Sequence, residues 1–243
     1  IVGSGPTFQL GFSVASSSKG DIIALGAKGA DTPESSNYGL VQVYKFVGEK
    51  WVELGDPLEG PNSGDQFGFS VSLSSDGLTL AIGSPFHGES EGLTRVYRFV
   101  EDSSWKQLGS DILGQTRSTL SGWSTSLSSD GNILVVGSLA NISSDSLRHP
   151  GHVRVFEYEN EEWNMIGQEL NGDESFESFG TDVSISGDGK TIAISGPDGG
   201  ESGVVKTYEL KSVFYPSASP SGILSTAAPS SSPTVILSTS PTK

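Results

Sequence analysis

One motif recurs four times along this chain of 243 residues. Its clearest copy reads Phe67-Gly68-Phe69-Ser70-Val71-Ser72-Leu73-Ser74-Ser75-Asp76-Gly77-Leu78-Thr79-Leu80-Ala81-Ile82-Gly83-Ser84-Pro85. The anchoring glycines are Gly11, Gly68, Gly122 and Gly180, at intervals of 57, 54 and 58 residues. Self-similarity at a nearly fixed period constrains the fold more tightly than any single residue, because each copy must adopt one supersecondary unit and stack on its neighbours.

Within a copy, four short segments are separated by turn chemistry. Phe69 to Leu73 alternates with the period of two expected of a strand. Asp76-Gly77 then supplies the residues of a tight hairpin turn. Leu78 to Gly83 is an apolar run long enough for a buried strand and too short for a helix. A polar loop leads to Thr94–Phe99, which alternates again, and a last turn reaches Trp105–Gly109. The other copies keep the register: the second segments are 22–25, 80–82, 134–136 and 192–194, and Trp51, Trp105 and Trp163 mark the fourth. The fourth copy shows no such last segment before the composition changes.

Four antiparallel strands in each unit of ~50 residues, repeated, is the signature of a β-propeller. The period of two and 32 glycines exclude helical repeats. The expected fold is therefore all-β, a β-propeller built of four-stranded antiparallel blades. Three full blades and one partial blade span residues 1–211, with repeats at approximately 1–60, 61–114, 115–172 and 173–211. Ile1-Val2-Gly3 aligns with Leu58-Glu59-Gly60, the tail of a fourth segment, so the register predicts a further strand, or further blades, upstream. Residues 212–243 carry almost no charge and are dominated by Ser, Thr, Pro and Ala. Such a stretch buries too little apolar surface to offset its ordering entropy and reads as a disordered linker or Ser/Thr/Pro stalk.

Composition removes several function classes. No cysteine is present, so disulfides, thiolate metal sites and cysteine nucleophiles are excluded. The 29 acidic and 14 basic side chains give a net charge of −15, which opposes binding to phosphate backbones and anionic lipid. No nucleic-acid partner is expected. No apolar run of about 18 residues suggests a membrane-spanning helix.

The repeat resembles the FG-GAP repeat, named for a Phe-Gly at the first strand and a Gly-Ala-Pro after the second. Phe67-Gly68 and Phe179-Gly180 keep the first element, while Leu10-Gly11 and Ser121-Gly122 keep its glycine. The second appears as Gly26-Ala27-Lys28, Gly83-Ser84-Pro85, Gly137-Ser138-Leu139 and Ser195-Gly196-Pro197. Similar repeats build the extracellular propeller of integrin α subunits. The resemblance implies a seven-bladed propeller in the parent protein, a place outside the cell, and adhesion or ligand binding in preference to catalysis. Many FG-GAP repeats also hold calcium in the first hairpin. The corresponding positions here are Ser72, Ser74, Asp76 and Leu80, or Ser184, Ser186, Asp188 and Ile192. One carboxylate and two hydroxyls fall short of the six to eight oxygens that calcium takes. No metal or other cofactor is expected, and Asp76, Asp130 and Asp188 read as turn residues.

The chain carries only fragments of catalytic motifs. Ile1-Val2-Gly3 matches an activated trypsin-like N-terminus, but Gly-Asp-Ser-Gly-Gly is absent. Ser13, Ser70 and Ser124 lack the closing glycine and the following helix of a nucleophile elbow. His87, His149 and His152 fall in or beside one class of loop without a third ligand at suitable spacing. A sialidase-like reading of Ser74-Ser75-Asp76-Gly77 is off by one residue and lacks an arginine cluster. An enzyme is not expected.

Loop lengths point to a binding face. The first hairpin is invariant in length, whereas the connections from second to third segment vary widely and share a face with the blade-to-blade connections. Variable loops on a rigid scaffold are where recognition resides. The candidate residues there are Asp31, Glu34, Asp65, His87, Glu89, Glu91, Asp198 and Glu201, suited to a cationic or polyhydroxylated ligand, a protein or a glycan. Asn141-Ile142-Ser143 is a glycosylation sequon in one such loop, so Asn141 is a candidate glycan site. The expected function is a non-catalytic extracellular module for adhesion or ligand binding. A structural wall or matrix repeat is the alternative, with a glycan-processing enzyme behind it.

Overall fold

The computed structural model of the protein describes residues 1–3, 8–31, 36–100, 104–139, 150–173, 177–200, 202–211 and 236–239. Period-two alternation and the recurrent turns resolve into four antiparallel sheets in sequence order. The first contains β1 (Ser13–Ser16), β2 (Ile22–Ala27), β3 (Leu40–Val47), β4 (Lys50–Glu53) and the short β5 (Leu58–Glu59). The second contains β6 (Ser70–Leu73), β7 (Thr79–Ser84), β8 (Leu93–Val100), β9 (Ser104–Gln107) and β10 (Ile112–Leu113). A single broken helical turn, α1 (His87–Ser90), lies between β7 and β8. The third contains β11 (Ser121–Leu127), β12 (Ile133–Ser138), β13 (His152–Glu159), β14 (Glu162–Met165) and β15 (Leu170–Asn171). The fourth contains β16 (Val183–Ile185), β17 (Thr191–Gly196), β18 (Val204–Lys211) and β19 (Ile236–Thr239).

Each of the first three sheets runs as an up-and-down ribbon of four strands, and the extra two-residue strand pairs back on the third. That short strand was not distinguished in the sequence, where it merges with the blade-to-blade connection. The fourth sheet corrects a second expectation. Ile236–Thr239, inside the stretch read as linker, pairs antiparallel with Tyr208–Lys211 and takes the place that the Trp-bearing strand holds in the other blades. The Ile-Leu of this segment favours strand, and the free edge of β18 supplies the hydrogen-bonding partner.

The core lies between blades. Ala24, Val41 and Val43 of the first sheet pack against Val71, Leu80, Ile82 and Tyr97 of the second. Ala81 and Val96 meet Leu134, Val136 and Phe156 of the third, whose Val135, Val153 and Val155 in turn meet Val183, Ile192 and Ile194 of the fourth. Small residues on one face thus receive large ones from the next, and each large aliphatic side chain so buried contributes about 1.5–3 kcal/mol.

Polar contacts repeat with the same period. Ser13, Ser70 and Ser124 each donate Oγ–H to the carbonyl of the next blade's anchoring glycine, Gly68, Gly122 and Gly180, at 2.8 Å. Those same carbonyls sit over Gly26, Gly83 and Gly137, where a Cβ has no room. The second glycine of the motif is therefore set by the closeness of adjacent blades.

Candidate functional site

The Ser-Ser-Asp-Gly segments form closed hydrogen-bonded turns. In the second blade Asp76 Oδ1 accepts from Ser74 Oγ at 2.6 Å and from Leu78 N at 2.9 Å, while Ser74 Oγ accepts from Thr79 N at 2.9 Å. Gly77 turns the chain at φ +74°. Ser128/Asp130 and Ser186/Asp188 repeat the arrangement. Burial would raise the Asp130 carboxyl pKa, but hydrogen bonds from Ser128 and Asn132 outweigh it and lower the value. At Asp188 the hydrogen bond from Ser186 is the main cause of a lowered pKa. The carboxylates are committed to their own turns, and among the described residues no group of three metal-ligating side chains gathers.

Ser13, Ser70 and Ser124 have their hydroxyls engaged by carbonyls of the following blade. The two described loop histidines lie apart in role. His87 Nδ1 is 2.7 Å from Asp65 Oδ2, and His152 is buried at the start of β13 with Nε2 3.9 Å from Glu169.

At the other end of the blades the loops are bonded into a rim. The connection between the second and third blades donates from Ser118, Leu120 and Ser121 to the carbonyls of Glu89, Ser90 and Glu91. Gln66 and Phe67 donate likewise to Asn37 and Tyr38, and Phe179 donates to Pro150. Each long loop of one blade is therefore tied to the entry of the next. The expected ligand residues occupy this rim in different ways. Asp31 is exposed and accepts from Asn37 N at 2.6 Å. Glu89 is exposed and ion-paired with Arg117, and Glu91 is half-buried with its side chain beside Gly88. Asp198 is exposed and accepts from Ser178 Oγ.

Asp65 departs from the expectation. It is 3% exposed, and Oδ2 accepts from Asn62 N and Nδ2 as well as facing His87, so it holds the entry turn of its blade and presents nothing to solvent. Glu177 occupies the matching place in the fourth blade, buried and 2.9 Å from Lys206 Nζ, with Asp173 at 3.0 Å from the same ammonium. Burial alone would lower the Lys206 pKa; the two carboxylates overcome it and raise the value. A cavity of about 350 Å³ lies beside this trio, lined also by Gly199, Gly200 and Gly203. Glu34, Glu201 and Asn141, with His149, lie outside the described residues.

The sequence reading missed an aromatic row at the centre of the rim. Phe12, Phe69 and Trp123 directly follow the anchoring glycines of three successive blades, and their rings lie in sequence at centroid distances of 5.0 and 4.6 Å. Phe86, from the long loop of the second blade, adds an edge contact to Phe69 at 6.0 Å. Lys28, from the long loop of the first, places Nζ 3.8 Å from the Phe12 centroid and 5.0 Å from that of Phe69. Partial burial lowers the Lys28 pKa. The signal available in the sequence was the residue after each anchoring glycine, aromatic in three copies and Thr181 in the fourth. Half-exposed π-faces flanked by the Lys28 ammonium form a surface that can stack planar or ring-shaped ligand groups.

This fold defines the protein as a member of the β-propeller class, an all-β chain of stacked four-stranded blades. No protein-family model and no curated relative matches the sequence. Among solved structures, the chain is similar to Kuenenia stuttgartiensis hydrazine synthase at 15% identity and a TM-score of 0.52, over 86% of this chain and 49% of that one. It is also similar to TolB from Acinetobacter baumannii (15% identity, TM-score 0.46, 81% and 40% covered). A third is a putative 6-phosphogluconolactonase from Bacteroides uniformis (12% identity, TM-score 0.43, 83% and 68% covered). The chain spans less than half the length of the first two. At these identities the likeness is one of fold alone. Among the described residues no helix is long and apolar enough to cross a membrane.

Proposed function

We propose that this chain is a non-catalytic, ligand-binding propeller module of the FG-GAP type that works outside the cell, and that its ligand seats on the rim over Phe12, Phe69 and Trp123. The observation that carries the reading is the aromatic row itself: three half-exposed rings from three blades, joined by Phe86 and topped by Lys28, on the face where the loops vary. Aromatic platforms hold sugar rings and other flat groups by stacking, while carboxylates of the same variable loops, Asp31, Glu89, Glu91 and Asp198, can accept from hydroxyl or cationic donors. A polyhydroxylated glycan satisfies both halves of this surface. Among the described residues the hydroxyls of Ser13, Ser70 and Ser124 and the carboxylates of Asp76, Asp130 and Asp188 are engaged in structural hydrogen bonds, in keeping with a binding role.

Screening the intact chain on a glycan array, followed by calorimetry on the retained structures, tests the proposal. Trp123→Ala is expected to weaken retained glycans at least about tenfold, the loss of one stacked ring. Neutralising Glu89, Glu91, Asp198 and Glu201 together tests the acidic rim separately. Binding indifferent to both sets of changes, or no glycan retained at all, overturns the reading.

A further inference from the structure

The turn that opens each blade carries an aspartate in three copies, but Lys19 stands at the place of Asp76, Asp130 and Asp188 in the first. That turn still closes. Ser17 N donates to the Ile22 carbonyl at 2.9 Å, as Ser74 N does to that of Thr79, and Asp21 Oδ1 accepts from Ser17 Oγ at 2.8 Å in place of the missing carboxylate. Lys19 is left exposed, and its side chain contributes no hydrogen bond to the turn. The third strand repeats the departure. Lys45 lies opposite Ile22, where the later blades have Arg98, Glu157 and Glu209. Arg98 is taken up by the following blade, its guanidinium 5.8 Å from the Tyr158 ring. Neither Lys19 nor Lys45 forms an ion pair among the described residues, in a chain of net charge −15.

Both lysines border one cleft of about 420 Å³, between the first and second blades at the end opposite the aromatic rim. The opening turns are joined there: Ser18 N donates to the carbonyl of Ser75, and Ser75 N to that of Ser129, each at 2.9 Å. These bonds fix three blades around the cleft. Ser75 and Ser129 line it, and their hydroxyls have no hydrogen-bond partner among the described residues. Asp21 and Asp76 line it too, each with Oδ1 held by its own turn. Between the third and fourth blades the matching places hold Asp130 and Glu157, so the cationic edge belongs to this junction. A bare anion here would face two carboxylates, and a neutral sugar would leave two ammonium groups unpaired. A group that carries an anion and hydroxyls together satisfies both halves of the cleft.

We infer that this cleft binds an acidic sugar, a hydroxylated ring bearing one carboxylate or phosphate. The anion lies between Lys19 and Lys45 and accepts from the hydroxyls of Ser75 and Ser129, while the ring hydroxyls donate to Asp21 and Asp76. The volume admits one such ring. The surplus of negative charge over the rest of the chain repels a polyanion, so the cleft takes a singly charged ring in preference to a densely charged chain. Its ammonium groups are exposed, and added salt therefore weakens the complex. The site stands apart from the aromatic rim and does not depend on what the rim holds.

Saturation-transfer NMR titrations of the intact chain with glucuronate and with glucose 6-phosphate are expected to show saturable binding of at least one, with a dissociation constant of about 1 mM or tighter. Glucose should bind at least about tenfold more weakly, and the tighter of the two acids identifies the anion. Lys19→Asp and Lys45→Glu each install a residue that other blades carry at the same place, so the fold is kept. Each should weaken binding at least about tenfold. Lys190→Glu makes the same change of charge on the opening turn of the fourth blade, and Trp123→Ala alters the rim; both should leave the affinity within about twofold. The inference is overturned if neither acid binds saturably, or if glucose binds as tightly as the acids. It is equally overturned by binding that survives both cleft changes, or by binding lost on Lys190→Glu or Trp123→Ala.

Discussion

The indole N–H of Trp105 donates to the carbonyl of Leu54 in the preceding blade at 2.7 Å, and the ring packs against Gly55 at φ +76°. Trp163 repeats this with Leu108 at 2.8 Å. Trp105→Phe keeps most of the ring contact and leaves a partly buried carbonyl without its donor. Equilibrium urea unfolding should show a loss of about 1–2 kcal/mol, with Trp163→Phe close behind. Trp51 makes no such bond among the described residues, and Trp51→Phe should change the stability of this chain by less than about 0.5 kcal/mol. Equal losses at all three positions would mean that the inter-blade bond contributes nothing.

Gly83 tests the closeness of the blades directly. Its Cα lies under the Gly122 carbonyl and beside Ser70 Oγ, so a methyl group forces the second and third blades apart. Gly83→Ala should destabilise by about 3 kcal/mol, near the upper end of overpacking effects, and lower the calorimetric midpoint accordingly. Ser195→Gly, at the matching place in the fourth blade, removes a hydroxyl that accepts from Asp182 N. It should cost only the hydrogen bond from Asp182 N, about 1 kcal/mol.

The strands were legible because their signals are local: alternation, an Asp-Gly turn, and a register kept across four copies. The inter-blade glycine was visible as a motif, but its reason, the carbonyl of Gly68 lying over Gly26, is a contact across more than 40 residues. The aromatic row was missed because Phe12, Phe69 and Trp123 are neighbours only once the first strands of three blades converge. Asp65 was read as a surface carboxylate because it sits in a polar loop; that Asn62 and His87 fold over it depends on the turn geometry. The strand at Ile236–Thr239 was hidden by the Ser/Thr/Pro composition around it, since pairing with β18 needs only four residues of modest propensity.

A bidentate ion pair joins Arg95 to Asp111, with Nε–Oδ1 at 2.7 Å and Nη2–Oδ2 at 2.9 Å. The Arg95 hydrogen bonds lower the Asp111 pKa, and Gln107 adds to the effect. A carboxyl with a lowered folded-state pKa stabilises the protein above its unfolded value of about 3.9 and loses that contribution as pH falls through the folded value. Asp111→Asn should therefore reduce stability near neutral pH by at most about 1 kcal/mol, given its partial exposure. The difference from the parent should vanish under strong acid. Urea midpoints measured from pH 7 to pH 2 give the comparison, and a gap that persists at the lowest pH would sink the ion-pair account.

Asp76 is bonded to its own turn through Ser74 and Leu78, so its replacement has a structural cost unrelated to any ion. Asp76→Ala should cost about 1 kcal/mol, as loss of a turn-capping carboxylate does. The thermal midpoint of the parent chain should be the same with millimolar calcium as with a chelator, because the neighbouring hydroxyls and Leu80 leave too few oxygens. A calcium-dependent rise in the midpoint that Asp76→Ala abolishes would show a metal site where a turn is described.

Phe69 is the hub of the aromatic row, touching Phe12, Phe86 and Trp123 at 5.0, 6.0 and 4.6 Å. Whether the row is a preformed platform turns on how strongly these rings hold one another, since a surface that orders only on binding gives up affinity in doing so. Phe69→Ala should lower stability by about 2 kcal/mol, less than for a fully buried ring, and shift Trp123 emission to the red, read by difference against Trp123→Phe. The decisive quantity is the coupling in a double-mutant cycle of Phe69→Ala with Trp123→Ala. Rings at this separation and tilt should give about 0.5–1.5 kcal/mol. Phe69, just before β6, and Trp123, in β11 of the next blade, acquire such coupling only if the blades fix the rings against each other. Additive losses would mean that the rings merely lie side by side, and the rim would then offer a ligand separate aromatic contacts in place of one rigid surface.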